Sequence, residues 1–151
     1  MVFPHPMSLD RDRAPVRRAL ERWAAGDLEG ALAQFSDDIL YLVNVDGLAV
    51  PFVSSTLGKE DLRQRLQLIK STFHEERFEI TSVVHEADHT RALVTVENRH
   101  RATGERLCVR LRLRYRVEDG RIVRAEEHLD AQYVEAFQRF VFHMENAARS
   151  T

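Results

Sequence analysis

The chain has 151 residues, of which 44% are hydrophobic and 30% charged, a balance typical of one globular domain. Its formal net charge of −2 gives no electrostatic case for nucleic-acid binding, and no apolar run approaches the roughly 20 residues of a membrane span. The single cysteine, Cys108, excludes an intramolecular disulfide and, with no signal peptide visible, favours a cytoplasmic location.

The first half of the chain predicts a flexible tail, helices and one buried strand. Residues 1–9 are expected to form the tail, and residues 10–151 a single domain. Apolar side chains at helical spacing, Trp23 among them, predict a first helix that begins at Asp10 or Asp12 and ends at Gly26. The elements expected after it are a short helix reaching Phe35, a strand over 39–45, a loop over 46–56 and a third helix over 59–73.

The second half predicts four antiparallel strands and a last helix. From residue 107 to residue 117 every odd position is apolar, which predicts a strand with one buried face. The elements expected here are strands near 77–87, 91–101, 106–117 and 121–130 and an amphipathic helix over 132–147. Helices followed by a run of antiparallel strands predict an α+β domain, in which a curved sheet and its helices enclose a cone-shaped cavity.

The turn between the last two strands predicts which side chains face that cavity. Asp119-Gly120 suits a two-residue hairpin turn, which sets Val117 opposite Ile122. On the strand over 121–130, the side chains beyond Ile122 that share a face with the apolar row of residues 107–117 are then four ionisable ones, namely Arg124, Glu126, His128 and Asp130. Because unpaired buried charge costs several kcal/mol, these groups are expected at a sheet margin or in a polar-bottomed pocket.

A second turn, at Thr103-Gly104, extends the arrangement by one strand. It sets Asn98 opposite Val109, in one row with Asp130. Neighbouring strands lie roughly 4.8 Å apart, so Asn98 and Asp130 are expected on the order of 10 Å from each other. A small ligand spans that distance.

Several segments resemble the nuclear transport factor 2-like superfamily, in particular its SnoaL-like and ketosteroid-isomerase-like branches. They are WAAGDLEGALAQFSDDILY at 23–41, Gly58-Lys59-Glu60 at the start of the third helix, and the final hairpin with EEHLD at 126–130. The resemblance implies a curved mixed sheet packed against three to four helices, a cystatin-like α+β barrel enclosing a pocket. It also implies frequent homodimerisation.

The resemblance assigns roles to two positions. Asp130 matches the last-strand aspartate that family enzymes use as general acid or base, and Tyr41 matches an aromatic position that lines the pocket. The tyrosine–asparagine spacing of epoxide-hydrolase relatives is absent, because the asparagine after Tyr41 is Asn44. An epoxide hydrolase is therefore not expected.

The leading hypothesis is an isomerase, cyclase or dehydratase that uses neither metal nor organic cofactor. Asp130 would move a proton next to the carbonyl of a small hydrophobic ligand, assisted by His128 or Asn98. The candidate substrate-binding residues are Tyr41, Asn98, His100, Glu126, Arg124, Tyr115 and Trp23.

Interpretations in which the same residues have only structural roles stay open beside that hypothesis. Asp130 would then cap the final helix, His128 would be structural, and Arg124 would pair with Glu126. The whole protein would be a non-catalytic ligand-binding or dimerising module, or an accessory domain of a larger assembly. The expected homodimer face is the outer side of the sheet, with Leu93, Thr95, Val123 and Leu129 among Arg110, Arg112, Arg114, Glu97 and Glu127.

Overall fold

The computed structural model of the chain describes residues 6–44, 55–129 and 139, with only the backbone for residues 6–12. Three helices and six strands occupy the described residues. In chain order they are α1 (Pro6–Ala24), α2 (Leu28–Leu32), β1 (Phe35–Asn44), β2 (Thr56–Leu57), α3 (Lys59–Thr72), β3 (Phe73–His85), β4 (Thr90–His100), β5 (Arg106–Glu118) and β6 (Arg121–Leu129).

The strands form one curved mixed sheet in the order β2-β1-β6-β5-β4-β3. Strand β1 runs parallel to β6, and every other neighbouring pair is antiparallel. The six described strands do not close into the barrel that the resemblance implies. Helices α1 and α3 pack on its concave face, so the predicted α+β class, a curved sheet against helices, is confirmed.

Period-two alternation explains which side of the sheet is buried. Along β4 and β5, buried side chains alternate with exposed or half-buried ones over most of each strand. The buried side chains meet residues of α1, α2 and α3 in one core. The most deeply buried members are Val16, Leu32, Ile39, Leu62, Val94 and Ile122.

Element boundaries differ from the expected ones at three places. Helix α1 begins at Pro6, within the segment expected to be a tail, and Pro15 lies inside it. Helix α2 ends at Leu32, and Phe35 already belongs to β1. Strand β3 begins at Phe73, directly after α3 and four residues earlier than expected, because Phe73 pairs with His100 of β4 and buries its ring. The predicted last helix lies outside the described residues, apart from Arg139.

The β5–β6 hairpin has the predicted turn but not the predicted register. Asp119 and Gly120 both have positive φ (51° and 75°), and Val117 faces Ile122 as expected. A β-bulge follows, so that Arg116 pairs with Arg124 and Val123 is the extra residue. From there on, the two faces of β6 are the reverse of the prediction.

Because of the bulge, three side chains that were expected in the pocket lie on the other face of the sheet. Tyr115 faces Ala125 and Leu113 faces Glu127, so Glu127 lies on the buried side. The prediction that Arg124, Glu126 and His128 continue the apolar row is therefore wrong: they lie on the outer side of the sheet. Leu129 and Glu127 are buried, so they leave the outer face that was expected to carry a dimer. Asp130 lies outside the described residues.

The β4–β5 register is shifted by two residues from the prediction. The turn is wider, with the His100 amide donating to the Glu105 carbonyl (2.8 Å), so Asn98 faces Leu107 rather than Val109. A shift of two residues preserves the face of each side chain. Asn98 therefore still points toward the concave side, as expected.

Candidate functional site

An apolar cavity lies between the helices and the concave face of the sheet. It has a volume of about 120 Å³. Helix α1, helix α3 and strands β1 and β3–β6 all contribute to its wall. The apolar lining includes Leu20, Leu66, Ile69, Phe78, Val96 and Leu111. An apolar cavity of about 150 Å³ binds benzene in another protein, so this cavity is close in size to, but smaller than, one that holds a single small ring.

One polar cluster in the cavity wall joins Tyr41, Arg65 and Glu127. The Tyr41 hydroxyl donates to Glu127 Oε1 (2.9 Å), and an Arg65 Nη donates to Glu127 Oε2 (3.3 Å). The Arg65 guanidinium also lies 4.8 Å from the centre of the Tyr41 ring. The side chains of Arg65 and Glu127 are only 4% and 10% exposed, so this is a buried ion pair.

Burial keeps both tyrosines of the wall protonated. It raises the pKa of the Tyr41 hydroxyl, and the neighbouring Glu127 carboxylate raises it further. Burial raises the pKa of Tyr115 in the same way. Neither hydroxyl is therefore a base, and Tyr41 acts as a hydrogen-bond donor.

A second carboxyl group, that of Glu75, lines the opposite part of the cavity. The Trp23 indole donates to Glu75 Oε2 (3.0 Å), and no hydrogen bond to Oε1 is made by the described residues. Burial raises the pKa of Glu75, an effect that the Trp23 hydrogen bond and the positive charge of Lys70 partly oppose. A carboxyl with a raised pKa in an apolar cavity suits general acid–base chemistry near neutral pH.

Asn98 faces Glu75 across the β3–β4 pair. Its Oδ1 atom is buried and has no hydrogen-bond partner among the described residues. A buried acceptor without a partner costs about 1–3 kcal/mol, and a ligand hydroxyl or a water molecule relieves that cost. Glu75 and Asn98 thus present two polar groups to a molecule in the cavity.

Four of the residues proposed from the sequence line the cavity, namely Trp23, Tyr41, Asn98 and Tyr115. His100 does not. Its Nδ1 lies 2.9 Å from Thr103 Oγ1 in the β4–β5 turn, and its ring packs edge-on against Phe73. Burial lowers the pKa of His100, which favours the neutral imidazole.

The other proposed residues are not brought to the cavity by the described structure. Arg124 Nε donates to Glu126 Oε1 (3.0 Å) on the outer face, which is the alternative pairing noted above. His128 is 41% exposed, and its Nδ1 lies 3.2 Å from Asn44 Nδ2. The position of Asp130 lies outside the described part of the chain.

Sequence reasoning missed Glu75, Glu127 and Arg65. Glu75 follows a helical pattern and looks like part of a helix end, whereas the structure has it in β3. The sequence predicts Glu127 on the outer face, because nothing in the local pattern marks the bulge between the Arg116–Arg124 and Val117–Ile122 pairs. Arg65 had a detectable signal, since it falls between Leu62 and Leu66 on the apolar side of α3.

Metal ligation and cysteine chemistry have no visible site in the described segments. No group of three or more His, Cys, Asp or Glu residues within 6–44 and 55–129 is arranged to hold a metal ion. Cys108 is free and exposed on the outer side of β5. No helix in those segments is long and apolar enough to cross a membrane.

Comparison with known families gives one match that spans most of the chain. The model of the SnoaL-like domain matches residues 16–125. A search of curated proteins found no significant match.

Solved structures share the fold at low sequence identity. An NTF2-like protein of unknown function from Burkholderia pseudomallei has a TM-score of 0.74 and 20% identity, over 85% of this chain and 95% of that one. TerC, co-crystallized with polyporic acid, has a TM-score of 0.70 and 15% identity, over 83% and 98%. A protein from Catenulispora acidiphila with a ketosteroid isomerase-like fold, in complex with trimethylamine, has a TM-score of 0.68 and 13% identity, over 82% and 91%. At such identities the likeness shows the fold alone.

Proposed function

Because the chain belongs to the SnoaL-like domain family, we propose that it binds a small, mainly apolar carbonyl compound in the cavity and catalyses proton transfer on it. The reaction class is that of an isomerase, cyclase or dehydratase. The observation that carries the proposal is the Glu75 carboxyl, whose pKa is raised by burial in an apolar cavity, beside an Asn98 Oδ1 that has no hydrogen-bond partner within the described part of the chain. Two solved structures of the same fold, one co-crystallized with polyporic acid and one in complex with trimethylamine, support the binding of small molecules.

The proposed reaction removes a proton from the carbon next to the ligand carbonyl. The Glu75 carboxylate takes this proton, and the C–H electron pair moves toward the carbonyl to form an enolate. The protonated Glu75 then returns the proton to another position or to a leaving oxygen. The Arg65 guanidinium lines the same cavity and would stabilise the negative oxygen of the enolate.

Asp130 is the second candidate for the base. It follows directly after β6, the strand that carries Glu127, and the family resemblance assigns acid–base chemistry to this position. Of its two expected assistants, His128 is on the outer side of the sheet, whereas Asn98 lines the cavity and would remain as the assistant of Asp130. Substitution distinguishes the two carboxyl groups.

The test is hydrogen–deuterium exchange at the α-carbon of cyclic ketones and 1,3-diketones, followed by proton NMR in D₂O. Wild-type protein is expected to accelerate the exchange, and Glu75→Gln is expected to lose about 100-fold or more of that acceleration. Glu126→Gln, on the outer face, is the matched control and is expected to exchange like the wild type. If Asp130→Asn loses the acceleration of exchange while Glu75→Gln keeps it in full, Asp130 rather than Glu75 is the base.

Non-catalytic ligand binding is the competing outcome of the same experiment. In that case, the compounds would raise the melting temperature of the protein and perturb the Trp23 fluorescence, yet no variant and no wild-type sample would accelerate exchange. Absence of both binding and exchange for the whole series would contradict the proposed function.

We also propose that the protein forms a homodimer through the outer side of the sheet. After the correction for Glu127 and Leu129, this face still carries Leu93, Thr95 and Val123 among the arginines of β5, a mixed surface suited to two-fold association. Size-exclusion chromatography with light scattering is expected to give a dimer at micromolar concentration, and Leu93→Glu is expected to shift it toward monomer. A wild-type monomer under these conditions would contradict the dimer.

A further inference from the structure

A second cavity adjoins the first, where α1 ends and β3 begins. It has a volume of about 330 Å³ and shares Trp23, Ile69, Phe73, Glu75 and Asn98 with the apolar cavity. We call it the basic mouth, because the side chains that it adds to this shared wall include Lys70, His74 and Arg101.

Two cations of the basic mouth are held in place by hydrogen bonds to backbone carbonyls. Lys70 Nζ donates to the Gly26 carbonyl (3.1 Å) and lies 5.2 Å from the centre of the Trp23 ring. Arg101 Nε donates to the carbonyl of Lys70 (3.2 Å). An ammonium has three donor hydrogens and a guanidinium has five, so each group keeps donors for a ligand.

Neither cation forms an ion pair with a carboxylate of the described residues. Arginines elsewhere do, as Arg63 does with Glu29 and Arg77 with Glu97. Among the described residues, Glu75 supplies the one carboxyl group that lines the basic mouth, so that two cationic side chains, those of Lys70 and Arg101, share the mouth with a single carboxyl group. The basic mouth therefore has more cationic than acidic side chains in its lining, and it adjoins an apolar cavity.

We propose that the basic mouth binds the carboxylate of a small ring-containing acid, whose apolar ring occupies the adjoining cavity. Lys70 and Arg101 are the binding residues for the carboxylate. Charge-assisted hydrogen bonds of this kind are roughly twice as strong as neutral ones. This inference rests on the proposed function, because the ring of the ligand must enter the cavity.

The test compares acids with their neutral amides of the same shape. Benzoate and cyclohexanecarboxylate are titrated against benzamide and cyclohexanecarboxamide by ligand-observed NMR at low ionic strength. Wild-type protein is expected to bind each acid about three- to tenfold more tightly than its amide, and added salt is expected to reduce that preference.

Substitutions then locate the preference. Lys70→Gln and Arg101→Gln are each expected to reduce it, and the double variant is expected to abolish it without changing the affinity for the amides. Lys70→Arg keeps the charge and should keep the preference. Arg110→Gln is the matched control, because it removes one positive charge from the outer side of β5. If Lys70→Gln lowers the melting temperature, its effect on binding cannot be separated from its effect on folding, and the change in acid preference is then measured with Arg101→Gln alone.

Each outcome bears on a different statement. Equal affinity of the wild type for acid and amide would overturn the role of the basic mouth and leave ligand binding in the cavity intact. Tighter binding of benzyltrimethylammonium than of benzoate would overturn it by showing the opposite charge preference. No binding of any ring compound would contradict the proposed function as well as this inference.

Discussion

Arg65 and Glu127 form a buried ion pair in the wall of the cavity. Both groups lost most of their hydration on folding, and the contacts that replace it include their mutual contact, the Tyr41 hydroxyl and the face of the Tyr41 ring. Such a pair contributes little net stability as a unit, yet removing one partner takes the opposite charge away from a buried ion. In the site, the Glu127 carboxylate serves to orient the Tyr41 hydroxyl and the Arg65 guanidinium, which both donate hydrogen bonds to it.

Glu127→Ala is expected to lower the free energy of unfolding by about 3–5 kcal/mol, because it leaves the Arg65 charge buried without its carboxylate. Urea denaturation measures the change. In a double-mutant cycle with Arg65→Met and Glu127→Leu, the coupling energy is expected to be about 1–3 kcal/mol. Glu29→Ala, which breaks the exposed pair with Arg63, is the control and should cause a much smaller change. Additive single effects in the cycle would contradict a buried pair.

The raised pKa of Glu75 makes stability depend on pH with a defined sign. The folded protein binds this proton more tightly than the unfolded chain, whose Glu pKa is near 4.5. The resulting stabilisation is complete below pH 4.5 and disappears as the pH rises through the raised pKa. The free energy of unfolding of the wild type is therefore expected to fall, relative to that of Glu75→Gln, as the pH increases from 4.5.

The Trp23 hydrogen bond provides a second check on that dependence. It stabilises the ionised carboxylate, so Trp23→Phe is expected to raise the pKa of Glu75 further and to move the loss of stability to higher pH. Urea denaturation at a series of pH values, monitored by circular dichroism, measures both variants. A pH profile of Glu75→Gln parallel to that of the wild type would show that Glu75 titrates normally.

Among the elements, α3 depends on a backbone conformation at its start. Gly58 precedes the helix with φ 92° and ψ 152°, a region essentially reserved for glycine, and its amide donates to the Ile39 carbonyl of β1 (2.8 Å). This turn sets the direction in which α3 crosses the sheet. Arg65, two turns into α3, reaches Glu127 from that direction.

Gly58→Ala is expected to lower the free energy of unfolding by about 1–3 kcal/mol, because alanine is strained at this φ and ψ. An added Cβ would meet only the Asp37 carbonyl oxygen at 3.8 Å, so the cost is conformational rather than steric crowding. Thermal or urea denaturation measures it. Lys59→Ala is the neighbouring control and should cost less, since its partner Asp37 is exposed. Equal effects of the two substitutions would contradict the backbone argument.

At the scale of the whole molecule, the cavity and the core share one wall. Leu20, Tyr41, Val96 and Tyr115 belong both to the buried core and to the cavity lining. The single tryptophan, Trp23, reports on the same region, because its indole bonds to Glu75 and stacks under Lys70. Loss of the cavity and loss of the fold should therefore be one event.

Urea unfolding followed by Trp23 fluorescence and by far-ultraviolet circular dichroism is expected to give coincident transitions, as for a single cooperative domain. A ligand of the cavity at a hundred times its Kd is expected to raise the free energy of unfolding by about 2.7 kcal/mol in both signals. A fluorescence transition that precedes the circular-dichroism transition would show that the cavity opens while the sheet remains folded.

The order of the described helices and strands, apart from the two-residue β2, and the α+β class follow from the sequence, because hydrophobic periodicity and turn residues are local properties. The apolar row of β5 and the Asp119-Gly120 turn behave as their patterns predict, and Asn98 keeps its face despite a two-residue shift in register. The side chains that each face of β6 carries cannot be predicted from the sequence in this way. Alternation of side chains with period two identifies a face only as long as the strand pairing has no bulge. Because Val123 is an extra residue in β6, Glu127 lies in the cavity wall, whereas His128, which is expected there, lies on the outer side of the sheet. The position of the extra residue depends on pairing with β1 and β5 and on packing under the helices, which are contacts between distant parts of the chain.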